Sequence, residues 1–270
     1  MGISLEFYFY LVIAGIFGGV LAGLYGIGGG LLYTFILPPF FAFFPSYSLG
    51  SAFVIANSFV GVFFAALSSS IKLYKDKEIP FKEVCIAGIF AVVSSLLAHH
   101  YIVSQKWYSM TIFRVIIVSL ILFMVANLFI KQKNKPFGSP KNKDMPLVGF
   151  FGGFIAALSG FGGGIVMVPM MLSIGGYEIR KAKNISLGVI VMVSGVIVVR
   201  SLFEPSIPAL GTIGYIIPSI CLPIIVGTFI GGPLGVIASK KIKDKKLLYS
   251  YLTLLLGLMI YYSYTIINDL

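Results

Sequence analysis

Charged residues are scarce in this sequence: Asp, Glu, Lys and Arg make up 11% of its 270 residues, where a soluble domain has about 25%. None occurs from Phe7 to Ile71, and further uncharged runs follow almost to the end of the chain. A membrane-spanning helix needs about 20 predominantly apolar residues, so these runs leave no room for a soluble domain. The sequence therefore predicts an all-α polytopic membrane protein.

Residue types that commonly perform catalysis or bind metal are also few, with two histidines, two cysteines and nine acidic residues. Cys85 and Cys221 lie inside apolar runs, and two cysteines cannot form a disulfide framework. The apolar segments contain no cluster of His, Cys, Asp or Glu of the kind that a metal or an active site requires. We therefore expect no enzyme activity, no catalytic residue, no metal site and no cofactor.

The net charge of +11 comes from lysines and arginines in short clusters between the apolar runs. Such clusters follow the positive-inside rule for cytoplasmic loops of membrane proteins. A nucleic-acid-binding protein would instead carry a basic soluble surface, which this chain has no room to form. We expect a lipid bilayer as its surroundings and no nucleic-acid partner; the oligomeric state stays open.

Glycine, in contrast, is abundant, and its pattern reveals an internal repeat. The segment GIFGGVLAGLYGIGGG at 15–30 is matched by GFFGGFIAALSGFGGG at 149–164. Between them, KQKNKPFGSPKNKDMP at 131–146 has the lysine, proline and glycine content of a polar connector. We divide the chain into a first membrane repeat (1–130), a cytoplasmic linker (131–146) and a second membrane repeat (147–270).

Each repeat is predicted to contain a glycine-broken helix followed by three uninterrupted transmembrane helices. We expect the uninterrupted helices near 48–71, 83–104, 108–130, 182–203, 212–239 and 246–267. Gly227, Gly231 and Gly235 recur at every fourth residue, a spacing that allows helices to pack closely in lipid.

The basic clusters favour broken helices that enter the membrane and return as hairpins. Met145 to Tyr177 is 33 residues, roughly 50 Å of helix, which is too long for one crossing of a ~30 Å hydrocarbon core and short for two. With hairpins, one side of the membrane receives all but three of the 20 lysines and arginines, in the clusters at 72–82, 131–143, 180–183 and 240–246. By the positive-inside rule this side is cytoplasmic. Both termini are then outside, and the two halves are inverted with respect to each other.

The glycine runs are the candidate substrate site. Irregular backbone survives at membrane depth only where protein or a water-lined cavity satisfies its polar groups. The helix that resumes after each run, expected at Leu31 and Ile165, begins with free N–H groups and a partial positive charge, which suit a small anion. Nearby Ser and Asn side chains are candidate donors to the same anion. The candidate set is Gly28, Gly29, Gly30, Leu31, Ser51, Asn57, Gly162, Gly163, Gly164, Ile165, Asn184 and Ser186.

Two alternatives to this interpretation stay open. The glycines in the runs also suit close helix packing alone, although packing glycines usually recur at intervals of four rather than consecutively. The protein is then a membrane scaffold without transport, or else an importer that couples an anion to another ion. Predicted segments lack a central Asp, Glu or Lys for a proton relay, which favours transport driven by the membrane potential.

The paired motifs GIGGG (26–30) and GFGGG (160–164), the second followed by Pro169, resemble the TauE/SafE sulfite exporter family with its two homologous halves. The likeness extends over about residues 8–267. The small-residue stretch that opens the next helix of that family is matched loosely by Ala182, Asn184 and Ser186, and more loosely by Ser48, Gly50 and Ser51.

The resemblance implies a multi-pass transporter in a prokaryotic plasma membrane that moves small sulfur-containing anions, such as sulfite or organosulfonates, usually outward. Two positions depart from the family pattern. Phe35 occupies the place of the proline in the first half, and Ile185 replaces a threonine in the second. These departures leave the fold expectation unchanged but weaken any assignment of one particular sulfur compound.

Overall fold

The computed structural model describes residues 5–41, 51–103, 142–205 and 211–269, together with isolated positions between 105 and 122. Within these ranges the chain is helical, apart from turns and one isolated β-bridge between Ile213 and Ile216. Most of the predicted helix near 108–130 and most of the 131–146 linker lie outside the described residues.

The helices of the first half are α1 (Leu5–Tyr25), α2 (Gly30–Phe41), α3 (Ser51–Lys75) and α4 (Phe81–Ala98), which continues as a π-helical turn, His99–Val103.

The second half begins with a short 3₁₀ turn at Asn142–Asp144. It continues as α5 (Met145–Ser159), α6 (Gly164–Ser173), α7 (Ile179–Leu202), α8 (Pro218–Lys241) and α9 (Asp244–Asp269). Among the described residues, α1, α3, α7, α8 and α4 with its π-helical turn are long and apolar enough to cross a membrane. The prediction of an all-helical protein with several membrane-spanning helices is confirmed for the described residues.

Both predicted interruptions are present, and they have the same backbone geometry. Three glycines of each break adopt φ between +71° and +81°, a region that side chains with a Cβ rarely enter: Gly26, Gly28 and Gly29 in the first, and Gly160, Gly162 and Gly163 in the second. Helix resumes at Gly30 and Gly164, one residue earlier than expected. The consecutive glycines therefore form a tight turn with left-handed backbone angles, and they do not lie in the middle of a helix.

Each break is the tip of a helical hairpin. In the first half, the ring of Phe40 near the end of α2 lies 4.9 Å from that of Phe7 near the start of α1. A Cβ added at Gly18 of α1 would collide with Tyr33 of α2, and one added at Gly152 of α5 would collide with Met167 of α6. The second arm of each hairpin thus runs back along the first.

Helices α1 and α8 pack backbone against backbone through glycine. A Cβ added at Gly227, Gly231 or Gly235 would lie 2.0–2.3 Å from a carbonyl oxygen of α1, and Gly15 and Gly23 face α8 equally closely. The predicted packing role of the glycines spaced by four in α8 is confirmed. Because contacts along α1 and α8 advance in the same direction, the two helices run parallel.

The same arrangement recurs between α5 and α4. Cβ atoms added at Gly149 and Gly153 of α5 would lie 2.0–2.1 Å from the carbonyl oxygens of Ala87 and Ala91 of α4. Each hairpin therefore packs against a helix of the opposite half, and α3 packs against α7 at the centre. Helices from the two parts of the chain are therefore interleaved.

Ion pairs join three basic loops at one end of the molecule. Lys240 at the end of α8 contacts Asp76 (2.7 Å) and Glu78 (2.9 Å) after α3, and Arg180 contacts Asp244 (2.5 Å). Hydrogen bonds from Lys240 and Lys72 hold the pKa of Asp76 below its ordinary value. Since α3 ends at this end of the molecule and α7 begins there, these two helices run in opposite directions.

Candidate functional site

The two glycine breaks touch each other in the interior of the protein. A Cβ added at Gly30 would lie 2.5 Å from the Cα of Phe161, and one added at Gly164 would lie 2.2 Å from the carbonyl oxygen of Gly26. Only glycine allows the first residue of each resumed helix to approach the opposite break so closely. The structure therefore brings together the eight predicted site residues at 28–31 and 162–165.

One serine joins each break to a helix of the other half. The Ser186 hydroxyl of α7 donates to the Gly26 carbonyl (2.8 Å), and the Ser58 hydroxyl of α3 donates to the Gly160 carbonyl (2.9 Å). Both carbonyls belong to the C-terminal ends of broken helices, where no intrahelical donor is available. Ser186, predicted as a ligand donor, satisfies the protein backbone in this structure.

The resumed helices begin in the same way. The first amides that bond back are those of Leu32 to the Gly29 carbonyl and Val166 to the Gly163 carbonyl, both 3.0 Å. The N–H groups of Gly30, Leu31, Gly164 and Ile165 precede these bonds, as helix geometry requires. Two helix N-termini, each with about half a positive charge, therefore begin side by side.

Apolar side chains cover the space in front of the breaks. A Cβ added at Gly28 would lie 3.0 Å from Val62 and 3.2 Å from Ile190, and one added at Gly162 would meet the same two side chains at 2.8 Å and 3.0 Å. Val62 of α3 and Ile190 of α7 occupy equivalent places in the two halves. The breaks are buried in this conformation, so access for an anion requires these two side chains to move.

The remaining candidates lie apart from the breaks. Asn57 uses both ends of its amide elsewhere: it donates to the carbonyl of Tyr215 (2.9 Å), and its oxygen accepts the amide of Ile217 (2.8 Å), the N-cap of α8. Its role in the structure is to cap α8. The side chain of Ser51 lies outside the described residues.

Lys183 is a residue that the sequence analysis assigned only to a basic cluster. Because α7 begins at Ile179, Lys183 lies in its second turn and is only 3% exposed. Its ammonium donates to the Gly23 carbonyl at the end of α1 (3.0 Å) and to the Ser239 hydroxyl (2.6 Å). The signal in the sequence is the spacing: Lys183 precedes Ser186 and Ile190 by three and seven residues, on the buried face of α7.

A cleft of about 380 Å³ opens beside Lys183 at the basic end of the molecule. Asn184, the last predicted candidate, lines this cleft and is 7% exposed. The other lining residues come from the loop after α3, the start of α7 and the end of α8: Lys77, Glu78, Ile79, Pro80, Glu178, Arg180, Lys181, Ser239 and Lys240. Lys183 lies between the cleft and the first glycine break, since a Cβ added at Gly26 would lie 2.7 Å from the Cα of Lys183.

Comparison with known proteins finds similarity to membrane transporters. The family model described as sulfite exporter TauE/SafE matches residues 11–262. The probable membrane transporter protein MJ0441 of Methanocaldococcus jannaschii is 30% identical over 258 residues, which cover 92% of this chain and 94% of that protein. The probable membrane transporter protein YunE of Bacillus subtilis is 22% identical over 260 residues, 87% of this chain and 89% of that protein. No solved structure matches the chain.

Proposed function

This chain belongs to the sulfite exporter TauE/SafE family of membrane transporters, and we propose that it exports a small sulfur-containing anion, sulfite or an organosulfonate. The observation that carries the proposal is the meeting of two glycine breaks that each begin a helix, at Gly30 and Gly164. Helix N-termini bind oxyanions through free N–H groups and the helix dipole. The anion binds between the breaks, in contact with Gly28–Leu31 and Gly162–Ile165.

The proposed architecture is an inverted repeat with this site near the middle of the bilayer. Two observations support this architecture: α3 and α7 run in opposite directions, and each hairpin packs against a helix of the other half. The basic end, where the helix ends that carry Lys72, Arg180 and Lys240 meet, faces the cytoplasm of the cell, and both termini are outside.

Export by this route needs no coupled ion. A cytoplasm at negative potential favours the exit of an anion by about 2.3 kcal/mol per charge per 100 mV, or about 4.6 kcal/mol for a dianion. Alternate movement of Val62 and Ile190 would open the breaks to one side and then the other.

The proposal is tested by sulfite flux in liposomes under an imposed potential. We expect flux in the unmodified protein and at least a tenfold loss in Gly28→Ala, because the added methyl group occupies the space between the break, Val62 and Ile190. Gly211→Ala is the matched control: it imposes the same positive-φ penalty of about 1–2 kcal/mol, but nothing lies within 4 Å of its added Cβ.

Flux should remain in Gly211→Ala. Absence of flux for sulfite and for every sulfonate tried in the unmodified protein would contradict the transport proposal. Equal flux in both variants would contradict only the position of the site.

A further inference from the structure

Lys183 is a buried cation whose acidic neighbour among the described residues, Glu78, pairs with Lys240 instead. Of the residues that the structure describes, no carboxylate forms an ion pair with it, and its two hydrogen-bond partners, Gly23 and Ser239, are a carbonyl and a hydroxyl. Burial of an ammonium is unfavourable by several kcal/mol unless a negative charge accompanies it. An ammonium also has three donors, so one remains for a ligand.

Asn184, next in the sequence, carries a second unsatisfied group. Its amide nitrogen donates to the carbonyl of Glu78 (3.2 Å), but its Oδ1 is buried and has no partner among the described residues. An exchange of the two amide ends would place oxygen against oxygen at Glu78, so the orientation is fixed. A buried acceptor without a donor is unfavourable by about 1–3 kcal/mol, and a ligand with an N–H or O–H group removes that penalty.

Both residues line the same cleft, and three of the four other cations in its wall form ion pairs, while the fourth, Lys77, is exposed. Lys240 pairs with Asp76 and Glu78, and Arg180 and Lys181 pair with carboxylates outside the cleft. Among the described residues that line the cleft, Lys183 therefore carries a positive charge that is buried and has no ion pair. Its backbone also touches Gly26 of the first break.

We propose that this cleft is a loading site, distinct from the glycine breaks, where the transported anion binds first on the basic side. Lys183 holds the anionic group, and Asn184 Oδ1 accepts a hydrogen bond from a donor on the same ligand. The preferred ligand is consequently an oxyanion that carries its own hydroxyl, amino or acid proton. This inference rests on the proposed transport function and adds a second site and a ligand preference to it.

A phosphate on an anionic lipid offers related chemistry, since the cleft lies at the end of the molecule assigned to the membrane surface. The transported anion is favoured because the two unsatisfied groups are the buried ones, next to the break, whereas Lys77 at the rim is exposed. A lipid headgroup would have to reach past the ion-paired rim to use them.

The test is calorimetric titration of the purified full chain in detergent with two probes that differ by one hydroxyl, ethanesulfonate and 2-hydroxyethanesulfonate. We expect 2-hydroxyethanesulfonate to bind about tenfold more tightly, with Asn184→Ala abolishing that preference. Lys183→Gln should weaken both probes by roughly 10- to 100-fold. Lys241→Gln, an exposed lysine outside the cleft, is the matched control and should bind both normally.

The variants must elute as the unmodified protein does in size-exclusion chromatography. If Lys183→Gln does not, the loading site is tested by whether Asn184→Ala still prefers 2-hydroxyethanesulfonate over ethanesulfonate. Equal binding in Lys183→Gln and Lys241→Gln, or an unchanged preference in Asn184→Ala, would overturn the loading site. Binding of short-chain phosphatidylglycerol that depends on Lys183, without binding of either sulfonate, would overturn it in favour of a lipid site. Sulfite flux with an unchanged half-saturating concentration in Lys183→Gln would leave transport standing and remove the loading site alone.

Discussion

Ser58 and Ser186 show how single residues hold the two breaks together. Each hydroxyl reaches from an uninterrupted helix to a carbonyl of the opposite half, Gly160 and Gly26. Other buried serines, such as Ser194, only bond back to their own helix, here to the carbonyl of Ile190. The same residue type therefore has two different energetic roles, which sequence alone does not distinguish.

Ser186→Ala should lower thermal stability measurably more than Ser194→Ala. The first substitution leaves the Gly26 carbonyl buried without a donor, which costs about 1–3 kcal/mol. The second removes a hydroxyl from a carbonyl that the helix already satisfies. Thermal unfolding of both variants in detergent measures the difference, and equal midpoints would show that the contact to Gly26 contributes nothing to stability.

At the scale of elements, close contact between α1 and α8 depends on the absence of side chains. Gly231 faces the carbonyl oxygen of Ile16, 2.0 Å from where its Cβ would be. In lipid, helices associate through such close packing rather than through a hydrophobic effect, so space for backbone contact is decisive. The packing glycines of α8 were predictable from their spacing, but their partner in the first half was not.

Gly231→Ala should destabilise the protein, whereas Gly257→Ala should not. An alanine at 231 would force α1 and α8 apart, and overpacking of this kind costs about 1–3 kcal/mol or more. At Gly257 of α9 nothing lies within 4 Å of the added Cβ, and alanine is the better helix former by about 1 kcal/mol. Thermal unfolding and monodispersity in detergent test both; an intact Gly231→Ala protein would contradict the packing described for α1 and α8.

At the scale of the whole molecule, one end of the protein contains the basic loops, which are joined by ion pairs. The loops after α3, before α7 and after α8 meet through ion pairs of Asp76, Glu78 and Asp244 with Lys240 and Arg180. Helix directions place the loop between α7 and α8 at the opposite end, where Tyr215 contacts Asn57. We expect the basic end to face the cytoplasm.

Cysteine labelling tests this orientation in a background without Cys85 and Cys221. Single cysteines at Lys133 and Glu178 should react with an impermeant maleimide only after the cells are permeabilised. A cysteine at Ile213, which is exposed in the loop before α8, should react in intact cells. Labelling of positions 133 and 178 from opposite sides would exclude the inverted repeat.

The sequence by itself determined the membrane class, the internal repeat, the places of both breaks and the helix-packing glycines. These features depend on local composition and on spacing along the chain, which carry the physical requirements of lipid and of helix geometry.

Only the tertiary structure decided which groups meet. It assigned Ser186 to the Gly26 carbonyl and Asn57 to the cap of α8, placed Val62 and Ile190 over the breaks, and buried Lys183 beside an unsatisfied Asn184. The contacts of Ser186 and of Asn57 each join residues 160 positions apart. Their partners depend on how the two halves interleave, and no local pattern along the chain records that arrangement.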